Sequence, residues 1–231
     1  MFQLDSGLDV QALGRAFGEY GRLQIGQFLT PESAQALYGE LSSSNAWKLT
    51  VNRGEEIHNF DLSAMAQWSE RQHELLEQAA TMGGRFGFQF RYDVIRLDDK
   101  STGLIAEFRD FMSSPAVVEA MRAITGASDI AFADAHASRY TAGHFLTTHD
   151  DRIDTMGRRA AYVMNLTPEW RPDWGGLLQF FDRRGDVVRA FTPGFNLLNL
   201  FRVPQAHNVS WVTPLAAAPR YAITGWLRAD A

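Results

Sequence analysis

The stretch Thr147-Thr148-His149-Asp150-Asp151-Arg152 closes an apolar, strand-like run with an imidazole and two adjacent carboxylates. Such groups are costly to bury unless they are paired, hydrogen-bonded or bound to a metal. On a strand, residues two apart point to the same side. His149 and Asp151 would then share one space, and Asp150 would face away from it. A third partner lies far downstream in RVPQAHNVSWV, where His207 sits at a loop-to-strand junction.

Two histidines and one carboxylate on one face of a metal leave positions open for further ligands. That is the arrangement of non-haem Fe(II) oxygenases. Zinc hydrolases use similar ligands, so these residues alone do not fix the metal. Thirteen residues past His207, the run PRYAITGWLR puts Arg220, Ala222, Thr224 and Trp226 on one face of the last strand. An inward arginine is expensive unless an anion meets it, and its planar fork matches a carboxylate. A metal site and such an arginine on neighbouring strands point to a dicarboxylate cosubstrate held at both ends.

These side chains need a frame of strands, and the second half of the chain has that texture. Short runs rich in Val, Leu, Phe and Tyr alternate with Gly, Pro and Asp from about residue 130. Expected strands are Ala135–Thr141, His144–His149, Arg159–Asn165, Leu177–Phe181, Val187–Phe191, Asn196–Arg202, Asn208–Val212 and Arg220–Leu227. Closely spaced short strands favour a sandwich or barrel over a parallel sheet with crossover helices. The first half reads as helix-rich. A helix is expected over Asp9–Tyr20, with a short strand at Leu23–Ile25. Another helix starts at Thr30-Pro31-Glu32 from a hydroxyl cap and a proline at the first position. Trp47–Val51 reads as extended. A long amphipathic helix from Ser63 to about Met82 should close at Gly83-Gly84, and another should run from Ser114-Pro115 to Gly126. The expected organisation is one domain over 1–231, with a supporting region at 1–129 and the metal-bearing core at 130–231.

The pattern His149-x-Asp151, distal His207 and RYAITGW (Arg220–Trp226) resembles the 2-oxoglutarate/Fe(II)-dependent oxygenases. The closest branch is the prolyl 4-hydroxylase type, which includes oxygen-sensing and ribosomal-protein prolyl hydroxylases. The similarity runs from about Ala135 to Arg228, with DWGG (Asp173–Gly176) and the PGFNLLNLFRV run adding to it. The resemblance implies a mainly β fold: a double-stranded β-helix of the jelly-roll or cupin-like kind, supported by N-terminal α-helices. It implies His149, Asp151 and His207 as iron ligands and Arg220 as the partner of the 2-oxoglutarate distal carboxylate. Tyr140 and Thr224 match positions lining the cosubstrate pocket. Asn165 stands where oxygen-sensing relatives carry a second cosubstrate-contacting tyrosine. Arg158 and Trp226 match positions near the substrate prolyl residue. Fe(II), 2-oxoglutarate and O2 follow as cofactors, with ascorbate as a supporting reductant. The implied substrate is a prolyl residue in a peptide or protein, a free amino acid or small peptide being the alternative.

Composition narrows the field. The chain of 231 residues is 45% hydrophobic and 21% charged, ordinary globular values. It has no cysteine, which removes disulfides, thiolate metal sites and cysteine nucleophiles. A net charge of -5 provides no basic footprint for nucleic acid. A nucleic-acid demethylase on this fold would carry a second arginine where Trp226 stands. A degenerate binding module would have lost a ligand, and a His-x-His cupin pair is absent from the sequence. No segment reads as membrane-spanning or as a signal peptide, so a cytoplasmic location is expected. Of the other histidines, His144 should point away from the site, and His136 should be packed or at its rim. His58 and His73 should be exposed. Substrate choice should come from loops at Asn52–Phe60 and Gln89–Leu97 and after Asp151.

Overall fold

The computed structural model describes residues 2–98 and 100–229. The two ends of the expected 1–231 unit, and residue 99, lie outside the described residues. Helix α1 (Val10–Tyr20) begins where the Asp9 carboxylate accepts from the Ala12 amide, and stops at Gly21 in the left-handed region. Strand β1 (Arg22–Gly26) leads to α2 (Pro31–Ser43), which starts at the Thr30 cap and Pro31 as the sequence implies.

The next segment departs from expectation. Strands β2 (Lys48–Arg53) and β3 (Glu56–Asp61) form an antiparallel hairpin, so Asn52–Phe60 is not a loop. β3 is polar and mostly exposed, which hides it from any apolar count. The long helix expected over 63–82 is two helices, α3 (Leu62–Met65) and α4 (Glu70–Phe86). Ser69 resets the backbone between them with a capping box. Its hydroxyl accepts from the Gln72 amide, and Gln72 accepts from the Ser69 amide in return. Gly83 and Gly84 do not end α4 but lie inside it; a side chain at Gly83 would collide with the Gln89 amide, whereas one at Gly84 would meet Phe145 in ordinary contact. Strand β4 (Phe90–Arg96) replaces a second expected loop. Helix α5 (Leu104–Met112) was not anticipated, whereas α6 (Pro115–Thr125) ends at Gly126 as expected.

After the unanticipated β5 (Ile130–Ala133), the eight expected strands all appear with small shifts at their ends. They are β6 (His136–Tyr140), β7 (Phe145–His149), β8 (Arg158–Leu166), β9 (Leu178–Phe181), β10 (Val187–Phe191), β11 (Phe195–Arg202), β12 (His207–Val209) and β13 (Arg220–Ala229). Every strand pairing among the described residues is antiparallel. The main ladder runs β1-β11-β8-β13-β6-β4-β7-β12-β9-β10. β4 is its corner: Asp93–Arg96 pair with β6, while Phe90 and Arg91 pair with β7. The sheet folds over there into two facing layers, a nearly closed barrel.

Alternation along β8 shows how the layers are filled. Ala160, Tyr162 and Met164 face the helices and join Phe17, Leu37, Phe108 and Met121 in the large core. Ala161 and Val163 face inward and pack with Leu178, Phe180 and Phe201 between the layers. β13 alternates in register with β8, so Arg220, Ala222, Thr224 and Trp226 all face the interior. Between the last two, Gly225 lies against the Asp134 carbonyl and the Tyr162 hydroxyl, with no room for a methyl. Gly225→Ala should therefore force β13 off this wall and destabilise the fold by about 2–3 kcal/mol. A urea midpoint within error of wild type would show that the contact yields freely.

Candidate metal centre

β7 and β12 are direct neighbours, and His149 lies opposite His207 on one rung. Their imidazole centroids are 4.2 Å apart. Asp151 reaches them by a route that strand alternation does not describe. β7 ends at His149, and Asp151 takes a φ of 63°, in the left-handed region. That turn swings its carboxylate back between the rings. Oδ1 lies 3.4 Å from His149 Nε2, and Oδ2 lies 3.4 Å from His207 Nε2. One ligand atom from each residue thus falls within a 4.8 Å cluster, a spacing that could hold a metal ion.

The outer nitrogens of both rings are already committed. His149 Nδ1–H donates to the Thr147 carbonyl at 2.9 Å, and His207 Nδ1–H donates to the Gln205 carbonyl at 2.7 Å. Each bond fixes the tautomer that turns a lone pair on Nε2 toward the cluster. Burial, helped by the neighbouring His149, lowers the His207 pKa to about 4, so this ring is neutral and able to ligate. Burial alone would raise the Asp151 carboxyl, but the two histidines hold it below the ordinary carboxylate range.

The cluster opens into a cavity of about 490 Å³ between the layers. Arg220 lines it while remaining only 2% exposed. Its Nε and Nη1 have no partner among the described residues, and burial lowers its pKa to about 10. Its guanidinium sits 5.2 Å from the centre of the Tyr140 ring, which stacks on Tyr92 at 5.0 Å. An unmet buried cation in the same cavity as three metal-type donors calls for an anion that also reaches the metal.

Tyr140, Thr224, Arg158 and Trp226 line this cavity, as the sequence implies. Arg158 and Arg159 part to different partners. Arg159 reaches outward to Asp129 at 2.7 Å, while the Arg158 guanidinium lies 3.6 Å over the Trp226 ring and donates to the Asp151 carbonyl. Asn165 is fully buried and is not among the lining residues. Its amide donates to the Val163 and Leu197 carbonyls at 3.1 Å, tying β8 to β11. His144 is buried away from the cavity and accepts from the Thr141 amide, so it takes no part. Asp150 does not face away but lines the mouth, accepting from the Arg152 amide. His136 lines the cavity 5.9 Å from Trp226. Sequence reasoning also missed Tyr92 and Arg96, whose signal was the alternation of β4, and the rim residues Ile57 and Phe88.

Residues 135–228, which hold the whole cluster and Arg220, match the family profile described as the 2OG-Fe(II) oxygenase superfamily. This segment belongs to that superfamily. The donor set fits Fe(II), and Arg220, without a partner among the described residues, fits 2-oxoglutarate, the cosubstrate in the superfamily's name. The likeness in fold extends over nearly the whole chain. A Pseudomonas putida prolyl-4-hydroxylase superposes with a TM-score of 0.65 at 18% identity, covering 96% of this chain and 100% of that one. A Trichoplax adhaerens prolyl hydroxylase, solved with a hypoxia inducible factor peptide fragment, gives 0.60 at 19% identity over 97% of this chain and 94% of that one. The architecture is thus the double-stranded β-helix with helices packed on one face. Among curated oxygenase relatives, mouse prolyl 3-hydroxylase OGFOD1 is 32% identical over 40% of this chain and 18% of its own length. Drosophila prolyl 3-hydroxylase sudestada1 is 31% identical over 43% of this chain and 20% of its own length. The chain spans about a fifth of the length of these relatives. No helix among the described residues is long and apolar enough to cross a membrane.

Proposed function

We propose that this chain is a 2-oxoglutarate- and Fe(II)-dependent dioxygenase that hydroxylates an unactivated C–H bond of a prolyl residue in a peptide or protein, releasing succinate and CO2. The observation that carries the reading is the shared cavity. Three convergent ligand atoms and a buried, unpartnered Arg220 face the same space. The prolyl hydroxylase names of the curated relatives and of the solved neighbours support the substrate class.

In this reading His149, Asp151 and His207 hold the iron, and Arg220 anchors the distal carboxylate of 2-oxoglutarate. Bound iron supplies the redox chemistry that couples decarboxylation of 2-oxoglutarate to placing one oxygen atom of O2 in the C–H bond. The chain supplies the rest. The Thr147 and Gln205 carbonyls keep both imidazoles aimed through Nε2. Tyr140 walls the cosubstrate beside Arg220, and Thr224 lines the cavity four residues further along β13, while Val163, Leu178, Phe201 and Val209 give the cavity a dry wall. Dryness strengthens the charge pairing there. Arg158 and Trp226, stacked at the other side, flank the substrate. Asn165 ties β8 to β11 through its amide nitrogen, and its buried Oδ1 has no partner among the described residues. The missing cysteines suit a reducing compartment, and a cytoplasmic setting is part of this proposal.

Anaerobic titration of the apoprotein with Fe(II), with and without 2-oxoglutarate, tests the reading by calorimetry and visible absorbance. The expected result is saturable iron binding that tightens with 2-oxoglutarate and brings a new visible absorption band. Iron binding indifferent to 2-oxoglutarate would remove the oxygenase assignment.

A further inference from the structure

The cavity has two levels, set by strand register. Tyr140 lies opposite Arg220 and stacks on Tyr92, so Tyr92, Tyr140 and Arg220 form one level. His136 lies opposite both Thr224 and Arg96, so Arg96, His136 and Thr224 form a second. The levels are four residues apart along each strand, about 13 Å. A short dicarboxylate bridging the metal cluster and Arg220 therefore leaves Arg96 without an anion.

Arg96 lines the cavity and is exposed, and its side chain has no hydrogen bond or salt bridge among the described residues. Arg158 lines the same half, and its Nε is buried without a partner. His136 lies between them and is neutral, its pKa lowered to about 4 by burial and then by Arg96, with Arg158 adding to the effect. The unspent polar groups of Arg96 and Arg158 are all donors, so their ligand must bring acceptors. The charges agree. Fe(II), Asp151, 2-oxoglutarate and Arg220 neutralise one another, and Arg152 is paired with Asp154 at 2.9 Å. Arg96 and Arg158 then outweigh Asp150 at the mouth, on a chain whose net charge is -5. A local excess of positive charge against that background selects a partner of opposite sign.

We propose that Arg96, with Arg158 beside it, reads a carboxylate of the substrate next to the residue that is oxidised. This rests on the hydroxylase reading and adds a specificity determinant to it. The carboxylate comes either from an Asp or Glu side chain or from the end of a chain.

The test uses fluorescently labelled, N-acetylated alanine peptides with one central proline. Asp, Asn or Lys stands beside the proline in C-amidated versions, and one Asn version ends in a free carboxylate. Anisotropy is measured anaerobically on protein loaded with Fe(II) and 2-oxoglutarate, with loading checked first by absorbance. The Asp peptide should bind about fivefold or more tightly than the Asn peptide, and the Lys peptide most weakly. The preference should shrink in high salt. It should vanish in Arg96→Gln and invert in Arg96→Glu. Preference for the free carboxylate over the Asp side chain would support a chain end as the source. Equal binding of Asp and Asn peptides by loaded wild type, no binding of any peptide, or an unchanged order in both Arg96 variants would overturn the proposal. Each of these leaves the hydroxylase reading standing, whereas failure to load removes both.

Discussion

His207→Ala should bind Fe(II) more than about 100-fold more weakly and lose turnover, while the sheet stays folded. The bound follows because loss of residues that only orient metal ligands already costs 10–100-fold, and a ligand itself matters more. The fold should survive because the ring is one member of a packed group, 4.6 Å from Phe201 and 6.0 Å from Phe180 by ring centroids. His149→Ala and Asp151→Ala should behave alike in calorimetry, circular dichroism and succinate release. Full turnover in any of the three would sink the metal assignment. Asp151 allows a further separation. At φ 63° a side chain is strained and glycine is not. Apo Asp151→Gly should therefore be more stable than apo Asp151→Ala by about 1 kcal/mol, although both lose the iron.

Arg220→Met should move two quantities in opposite directions. Without ligand, the variant should melt higher than wild type, because a buried cation with two unpartnered nitrogens is replaced by a thioether. With 2-oxoglutarate, wild type should gain stability and the variant should not. Its 2-oxoglutarate requirement should rise by more than about 100-fold, as expected when one partner of a buried ion pair is removed. Fe(II) affinity in the absence of 2-oxoglutarate should barely change. The sign with pH follows from the lowered arginine pKa. The folded state holds this proton less firmly than the unfolded chain, so the penalty is complete below about pH 10 and fades above it. Thermal scans of both proteins with and without 2-oxoglutarate check all of this. An unchanged 2-oxoglutarate requirement would mean that another cation anchors the cosubstrate.

The site was most legible where a costly residue type sat in a regular element. Arg220 could be read because an arginine on the inward face of an apolar strand demands an anion, and β13 pairs in regular register with β8 from Ala222 to Leu227. His149 and His207 were legible for the same reason. Asp151 does fall within the cluster, but for a cause other than alternation: its position depends on a left-handed turn that no strand periodicity reports. β3 is hidden because it buries little, so the hydrophobic pattern fails there. β4 does alternate, Phe90, Tyr92 and Val94 against Arg91 and Asp93, but the charged residues between its apolar ones disguise it as a loop. Missing β4 also hid Tyr92 and Arg96. The single helix read over 63–82 broke because local capping at Ser69 outweighed continuous amphipathicity. Asn165 sits on an inward strand face, but its amide nitrogen donates to two backbone carbonyls, a matter of tertiary packing that its residue type does not announce.

The placement of the two histidines on one rung also bears on how such a protein can change over generations. β7 lies between β4 and β12, and β12 lies between β7 and β9, so neither ligand strand is at an edge. A slip of one residue in either would turn its imidazole to the other face. Among the described residues β3 pairs only with β2, and its outer edge has no strand against it. Insertions and drift in that hairpin, including Ile57 at the mouth, leave the rung untouched. The fold thus keeps the paired imidazoles in constrained strands and leaves variation at the cavity mouth to a permissive one.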